Sequence, residues 1–112
     1  MSDIVSHYIN GAVVEGRSGR RGVVYNPAIG EVVRQVDFAN AAEVQSAVDA
    51  ARAAFPAWAA TPPLRRARVM FRLKDLIEAN IDELAVMVSE EHGKTVEDAK
   101  GSITRGIEVV EF

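Results

Sequence analysis

Apolar positions along the 112-residue chain follow two rhythms, and the change falls near Asn40. Before it, short apolar runs are broken by Gly, Asn and Pro. After it, apolar residues recur every three or four positions, the spacing of an amphipathic helix. In the first part, His7-Tyr8-Ile9 and Ala12-Val13-Val14 flank Asn10-Gly11. A type I′ turn needs positive φ at both central residues, so Asn-Gly between apolar runs predicts a hairpin. Gly16 to Gly22 is polar, basic and glycine-rich and reads as an exposed loop. Val23-Val24-Tyr25 and Val32 to Val36 are strand segments around the turn Asn26-Pro27-Ala28-Ile29-Gly30-Glu31.

Four helices are predicted beyond Asn40. Asn40 with Glu43 makes a capping box, and Val44, Ala47, Val48, Ala51 and Phe55 form one stripe. Pro56 should end this helix and leave Trp58 in the connection. Thr61 caps the second helix with Pro62 at its first position, and Leu64, Met70, Leu73, Leu76 and Ile77 supply the buried side. Asn80 with Glu83 makes another box ahead of Ile81, Leu84, Ala85 and Val88, and Gly93 stops the third helix. Thr95 opens the fourth, with Val96, Ala99, Ile103, Ile107 and Val110 on one face. That pattern runs to Val110-Glu111-Phe112 without a Gly, Asn or Pro stop, so the sequence reads as the front part of something longer.

The expected class is therefore α+β: an N-terminal hairpin or meander, then four helices. Residues 1–39 form a segment of strands and turns, and residues 40–112 form a helical layer. The order does not alternate strand and helix, so no complete parallel dinucleotide-binding sheet is present. No internal repeat or low-complexity tract interrupts it.

Composition narrows the chemistry. Hydrophobic residues make up 48% and aromatics only 6%, which favours close helix packing over an aromatic core. The formal net charge of -3 gives no general attraction to nucleic acid or to a membrane surface. The chain has no cysteine, which excludes disulfides, thiolate metal sites and a thiol nucleophile within it. Met1-Ser2-Asp3 is not the start of a signal peptide, and no apolar run spans a bilayer, so a cytoplasmic location is expected.

Few residues suggest a site. Gly11, Gly16, Gly19, Gly22 and Gly30 read as turn glycines and make no phosphate-binding fingerprint. Arg65, Arg66, Arg68, Arg72 and Lys74 read as a solvated helix face. His7 and His92 lack metal-ligand spacing and read as surface or capping residues. Gly93-Lys94-Thr95 reads as a helix stop, an exposed lysine and a helix start. No residue is assigned to catalysis, cofactor binding or metal. The fourth helix is more suggestive. Gly101 and Gly106 each cost about 1 kcal/mol of helix stability relative to alanine, which implies close approach of another element or space for a ligand. Arg105 shares a face with Gly101, Ser102 and Val109. It could grip a carboxylate in two-pronged fashion, or pair with Glu108 or Asp98 at the surface.

Four motifs in order carry a resemblance. They are Tyr8-Ile9-Asn10-Gly11, then Asn26-Pro27-Ala28-Ile29-Gly30-Glu31-Val32, then Val48 to Phe55 with Trp58, then Glu91-His92-Gly93-Lys94-Thr95. Together they resemble the N-terminal region of the aldehyde dehydrogenase superfamily, from His7 to Phe112. Phe55-Pro56-Ala57-Trp58-Ala59 and Arg105 to Phe112 are similar to its CoA-acylating methylmalonate-semialdehyde dehydrogenase branch.

The resemblance implies that the segment belongs to an α/β NAD-binding domain. It implies a parent enzyme that oxidises methylmalonate or malonate semialdehyde with NAD and CoA through a cysteine-bound acyl group. It also implies that Arg105 binds the substrate carboxylate. The catalytic cysteine, the oxyanion-stabilising asparagine and the nicotinamide site would lie beyond Phe112, so these residues alone should be inactive and bind no cofactor. Partners would be the remainder of the dehydrogenase, or a second copy in a homo-oligomer. A different class of reading makes the chain a stand-alone module whose apolar stripes are buried by self-association.

Overall fold

The computed structural model describes residues 4–112. Five strands precede four helices: β1 (Ile4–Val5), β2 (His7–Ile9), β3 (Ala12–Val14), β4 (Arg21–Asn26), β5 (Glu31–Asp37), α1 (Ala41–Ala60), α2 (Pro63–Ala79), α3 (Ile81–His92) and α4 (Val96–Glu111). This is the α+β order that the hydrophobic pattern predicts. By packing the chain forms two units, residues 4–25 with 31–60, and residues 26–30 with 61–112. Helix α1 thus groups with the strands, although the change from strand to helix falls at Asn40.

In the first unit, β2 and β3 pair antiparallel, with Tyr8 opposite Val13 and Ile9 opposite Ala12. Asn10 and Gly11 hold φ of 53° and 77°, as a type I′ turn requires. A three-stranded sheet has the order β1-β5-β4. Its first strand was not legible in the pattern. Ile4 and Val5 pair in parallel with Gln35 and Val36, a contact between residues about thirty positions apart. A two-residue strand exists only through such pairing.

The glycine-rich stretch is not a free loop. Asp37, at the end of β5, is buried. Its carboxylate accepts from the Gly16 amide (2.9 Å), the Arg21 Nε (2.9 Å) and the Ser6 hydroxyl (3.2 Å). A Cβ on Gly16 would lie 2.5 Å from Asp37 Cβ, so Gly16 is there for close approach and not for a turn. Gly22 also departs from the turn reading. It lies inside β4, and a Cβ there would meet the Phe38 ring at 2.6 Å. The amide of Gly16 first, then Arg21, holds the Asp37 carboxyl below the usual carboxylate range.

Helix α1 starts as expected. The Asn40 amide donates to Glu43 Oε2 (2.8 Å) and the Glu43 amide to Asn40 Oδ1 (2.9 Å), a closed capping box. Pro56 does not end it. The helix continues through Pro56 and Trp58 to Ala60. Proline removes one hydrogen bond, but the residues around it, Ala53, Ala54, Ala57, Ala59 and Ala60, are strong helix formers that sustain the turns on either side. No residue of α1 is buried, and Val44, Val48, Phe55 and Trp58 of its apolar side are exposed.

The second unit joins the turn Asn26–Gly30 to α2, α3 and α4. Asn26 organises that turn: its carbonyl accepts from Gly30 (2.8 Å), and its side chain accepts from the Ala28 amide (3.0 Å). Helix α4 packs against both α2 and α3. Ala85 of α3 and Ala99 of α4 are fully buried, and Ile107 of α4 is buried as well. Small residues at these positions let the helices approach closely, in keeping with the low aromatic content.

Three further expectations for the helices need correction. Helix α2 starts one residue late, with Pro62 as its N-cap and Pro63 at its first position, instead of Thr61 and Pro62. Two successive prolines push the residue before each out of the helical region, which delays the start. Leu64, Met70, Leu73 and Leu76 are exposed, while Arg66, Ala67, Lys74 and Ile77 are half-buried. On the inward side of α2, the Lys74 ammonium bridges Glu78 (3.1 Å) and Glu111 of α4 (3.3 Å). Those carboxylates, Glu78 first, raise the Lys74 pKa. Finally, Asn80 and Glu83 form no capping box. Asn80 is the sole residue between α2 and α3, and its Nδ2 donates back to the Leu76 carbonyl (2.7 Å). Turned back onto α2, the side chain makes no capping hydrogen bond to α3.

Candidate functional site

The corner between α3 and α4 is built as the sequence predicts. Gly93 adopts φ +84° and donates to the Ser89 carbonyl (2.8 Å), the left-handed stop of α3. Thr95 starts α4 by accepting from the Asp98 amide (3.2 Å). A Cβ on Gly93 would lie 2.7 Å from Pro27 Cγ, so the Asn26–Gly30 turn packs directly on this corner.

Lys94, expected to be an exposed lysine, is half-buried. Its carbonyl accepts from Ser89 Oγ (2.7 Å). Its ammonium reaches along α4, pairing with Asp98 (3.0 Å) and donating to Ser102 Oγ (2.8 Å). One turn further on, Arg105 Nη2 donates to the same Ser102 Oγ (3.1 Å). The result is a polar ladder, Lys94, Asp98, Ser102 and Arg105, at helical spacing on one side of α4. Lys94 first, and Arg105 more weakly, holds the Asp98 carboxyl below its ordinary value.

Arg105 itself is exposed. Its guanidinium folds back over Gly101, with Nη1 3.6 Å from where a Cβ would stand. A Cβ at Gly101 would be in ordinary van der Waals contact with the guanidinium, and a Cβ on Gly106 would meet nothing within 4 Å. Of the two alternatives for Arg105, the structure favours neither Glu108 nor Asp98 as its direct hydrogen-bond partner; it shows Ser102. A planar group with five donors and one bond to a serine is well suited to receive a carboxylate.

The other candidates are placed differently. His92 is exposed at the end of α3. His7 lies in the other unit, half-buried on β2, with Nε2 3.8 Å from Glu43 Oε1 and no hydrogen-bond partner. Glu43 Oε1 also accepts from the Arg17 amide (2.6 Å). Asn40 and Arg17 together hold the Glu43 carboxyl below its ordinary value. The basic run on α2 is not a uniform solvated face: Arg65, Arg68 and Arg72 are exposed, but Arg66 and Lys74 turn inward.

A dinucleotide pyrophosphate needs free amides at a glycine-rich strand-to-helix turn. The β5–α1 connection is Phe38-Ala39-Asn40, without glycine, and its helix start is already filled by Glu43. That connection does not fit the group. No three His, Asp or Glu side chains gather among the described residues to hold a metal ion. No helix of the described residues is long and apolar enough to cross a membrane.

The model of the aldehyde dehydrogenase family matches residues 13–112. The chain belongs to the aldehyde dehydrogenase family. It is 51% identical over 106 residues to a malonate-semialdehyde dehydrogenase of Pseudomonas aeruginosa, a match covering 95% of this chain and 21% of that protein. A solved structure from Sinorhizobium meliloti, assigned as a methylmalonate-semialdehyde dehydrogenase and complexed with NAD, superposes with a TM-score of 0.97. It is 51% identical and covers 100% of this chain and 23% of its own. The methylmalonate-semialdehyde dehydrogenase of Oceanimonas doudoroffii gives a TM-score of 0.93 at 49% identity, over 99% of this chain and 22% of that one. The chain thus spans between a fifth and a quarter of the length of these family members.

Proposed function

We propose that this chain forms the N-terminal part of an NAD-dependent, CoA-acylating dehydrogenase of methylmalonate or malonate semialdehyde, in which Arg105 holds the substrate carboxylate. The observation that carries this reading is the exposed guanidinium folded back over Gly101, with Nη2 donating to Ser102 Oγ. Support comes from the names of the similar proteins in Pseudomonas, Sinorhizobium and Oceanimonas, each of which has a semialdehyde bearing a carboxylate in its name.

In this reading the far end of the substrate is fixed by Arg105, and the aldehyde carbon is thereby presented to the nucleophile at a constant distance. The nucleophilic thiol comes from elsewhere, because no cysteine is present in these 112 residues. NAD, when bound, takes the hydride, and CoA takes the acyl group. Residues other than these hold both, and this chain alone turns over no aldehyde. Residues 1–39 act as a strand segment, and residues 40–112 as the helical layer of the NAD-binding domain. The apolar side of α1 (Val44, Val48, Phe55) and that of α2 (Leu64, Leu73, Leu76) are covered by the rest of a cytoplasmic homo-oligomer.

The same exposed residues favour a second reading, a stand-alone chain that self-associates. Solution mass separates them in part: a well-behaved monomer with cooperative melting speaks against self-association.

The carboxylate reading is tested in a complete enzyme made by joining this chain to the remainder of the Pseudomonas aeruginosa protein. Arg105→Leu should raise KM for malonate semialdehyde about 10- to 100-fold, the effect of losing charged hydrogen bonds. KM for propanal, which has no carboxylate, should stay constant. Equal effects on both aldehydes would remove the assignment.

A further inference from the structure

We infer that Ser102 is a positioning residue for Arg105, and that Lys94 sets the serine in turn. This rests on the carboxylate-binding reading of Arg105.

A serine hydroxyl offers one donor and two acceptor lone pairs. All three are used here. The hydroxyl donates to the Asp98 carbonyl one turn back (3.3 Å), and it accepts from Lys94 Nζ (2.8 Å) and Arg105 Nη2 (3.1 Å). A serine that only bonded back to its own helix would need neither cation. Ser102 is half-buried, and the Lys94 side chain beside it is 17% exposed, so the arrangement is screened from water on one side.

Two cations on one oxygen would repel each other if nothing offset them. Asp98 does so by pairing with Lys94 at 3.0 Å and attracting Arg105 more weakly, which leaves the ladder with a net positive charge. Lys94 is fixed at its other end too, through its carbonyl, by Ser89. The stop of α3 at Gly93 therefore determines where the Lys94 ammonium lies. The ammonium determines the direction of the serine lone pair that remains, and that lone pair holds one Nη of Arg105. Gly101 lies beneath the guanidinium, where a Cβ would make ordinary van der Waals contact with Nη1 at 3.6 Å. A long, flexible arginine is thus held in one orientation with most of its donors unspent, which lowers the entropy lost when a carboxylate arrives.

The first test uses the 112-residue chain. The ¹⁵N–¹H heteronuclear NOE of Arg105 Nε should report an ordered side chain, fall in Ser102→Ala and return in Ser102→Thr, which keeps the hydroxyl. An Arg105 side chain as mobile in the native chain as in S102A would overturn the proposal. The second test uses the complete enzyme described above. S102A should raise KM for malonate semialdehyde about 5- to 20-fold, with kcat and the KM for propanal unchanged, because a misplaced contact costs binding of the group it touches. Partial unfolding would instead lower the rates with both aldehydes together. S102T should restore the native KM. If R105L discriminates between the aldehydes and S102A does not, the positioning role of Ser102 fails while the carboxylate reading stands. If R105L does not discriminate, the carboxylate reading fails, and the NOE alone decides whether Ser102 orders Arg105.

Discussion

Replacing Gly93 with alanine tests the corner on which the polar ladder is built. Two costs are separable. The residue holds φ +84°, and an L-residue in that region loses about 1–2 kcal/mol. The new methyl would also stand 2.7 Å from Pro27 Cγ and 3.3 Å from Pro27 Cβ. Ordinary carbon contacts lie at about 3.5–4.0 Å, so the turn or the corner must move, at a cost of about 1–3 kcal/mol. The expected loss for Gly93→Ala is about 2–5 kcal/mol, a large part of the stability of a small domain. Gly30→Ala is the control. Gly30 has φ +72°, and a Cβ there meets nothing within 4 Å, so only the backbone cost of about 1–2 kcal/mol applies. Urea unfolding followed by circular dichroism measures both. Adding Pro27→Ala removes the nearest atom and should recover much of the excess, a coupling readable in a double-mutant cycle. If G93A and G30A cost the same, or if P27A recovers nothing, the Pro27 contact is not the constraint described.

Two further outcomes follow from the packing and the charges. Ile107→Ala should cost about 2–4 kcal/mol in the same unfolding assay, because Ile107 is buried between helices and its methyls leave a cavity. Stability should also depend on pH through Asp37 and Glu43. Both carboxyls have folded-state pKa values below the unfolded ones, so their contribution is complete above the unfolded values near 3.8 and 4.5 and is lost as pH falls through the folded ones. Asp37→Asn should flatten the acid limb of a melting-temperature profile, and an unchanged limb would show that its partners do not hold the charged form.

What the sequence made legible was local. The Asn10-Gly11 hairpin, the Asn40–Glu43 box, the Gly93 stop and the Thr95 cap each depend on residues within four positions of one another. What it hid was decided by distant groups. Strand β1 needs β5, the close approach at Gly16 needs Asp37, and the inward turn of Lys74 needs Glu111. The α2 stripe shows the limit of periodicity: it identified the helix but not which side would face α4. The candidate site divides in the same way. Arg105, Gly101 and Ser102 were visible on one helix face, while the reach of Lys94 across eight residues to Ser102 was not. A lysine before a helix cap, with Asp four positions and Ser eight positions on, was the signal that could have revealed it.

The single-residue link at Asn80 constrains how this region can vary in length. Its amide closes α2 through the Ile77 carbonyl, and its own carbonyl opens α3 by accepting from the Leu84 amide. Deleting it would leave nothing to break the register, and the two helices would run on as one rod about 45 Å long. Such a rod would carry α3 away from α4. Length changes among homologous chains should therefore avoid this corner.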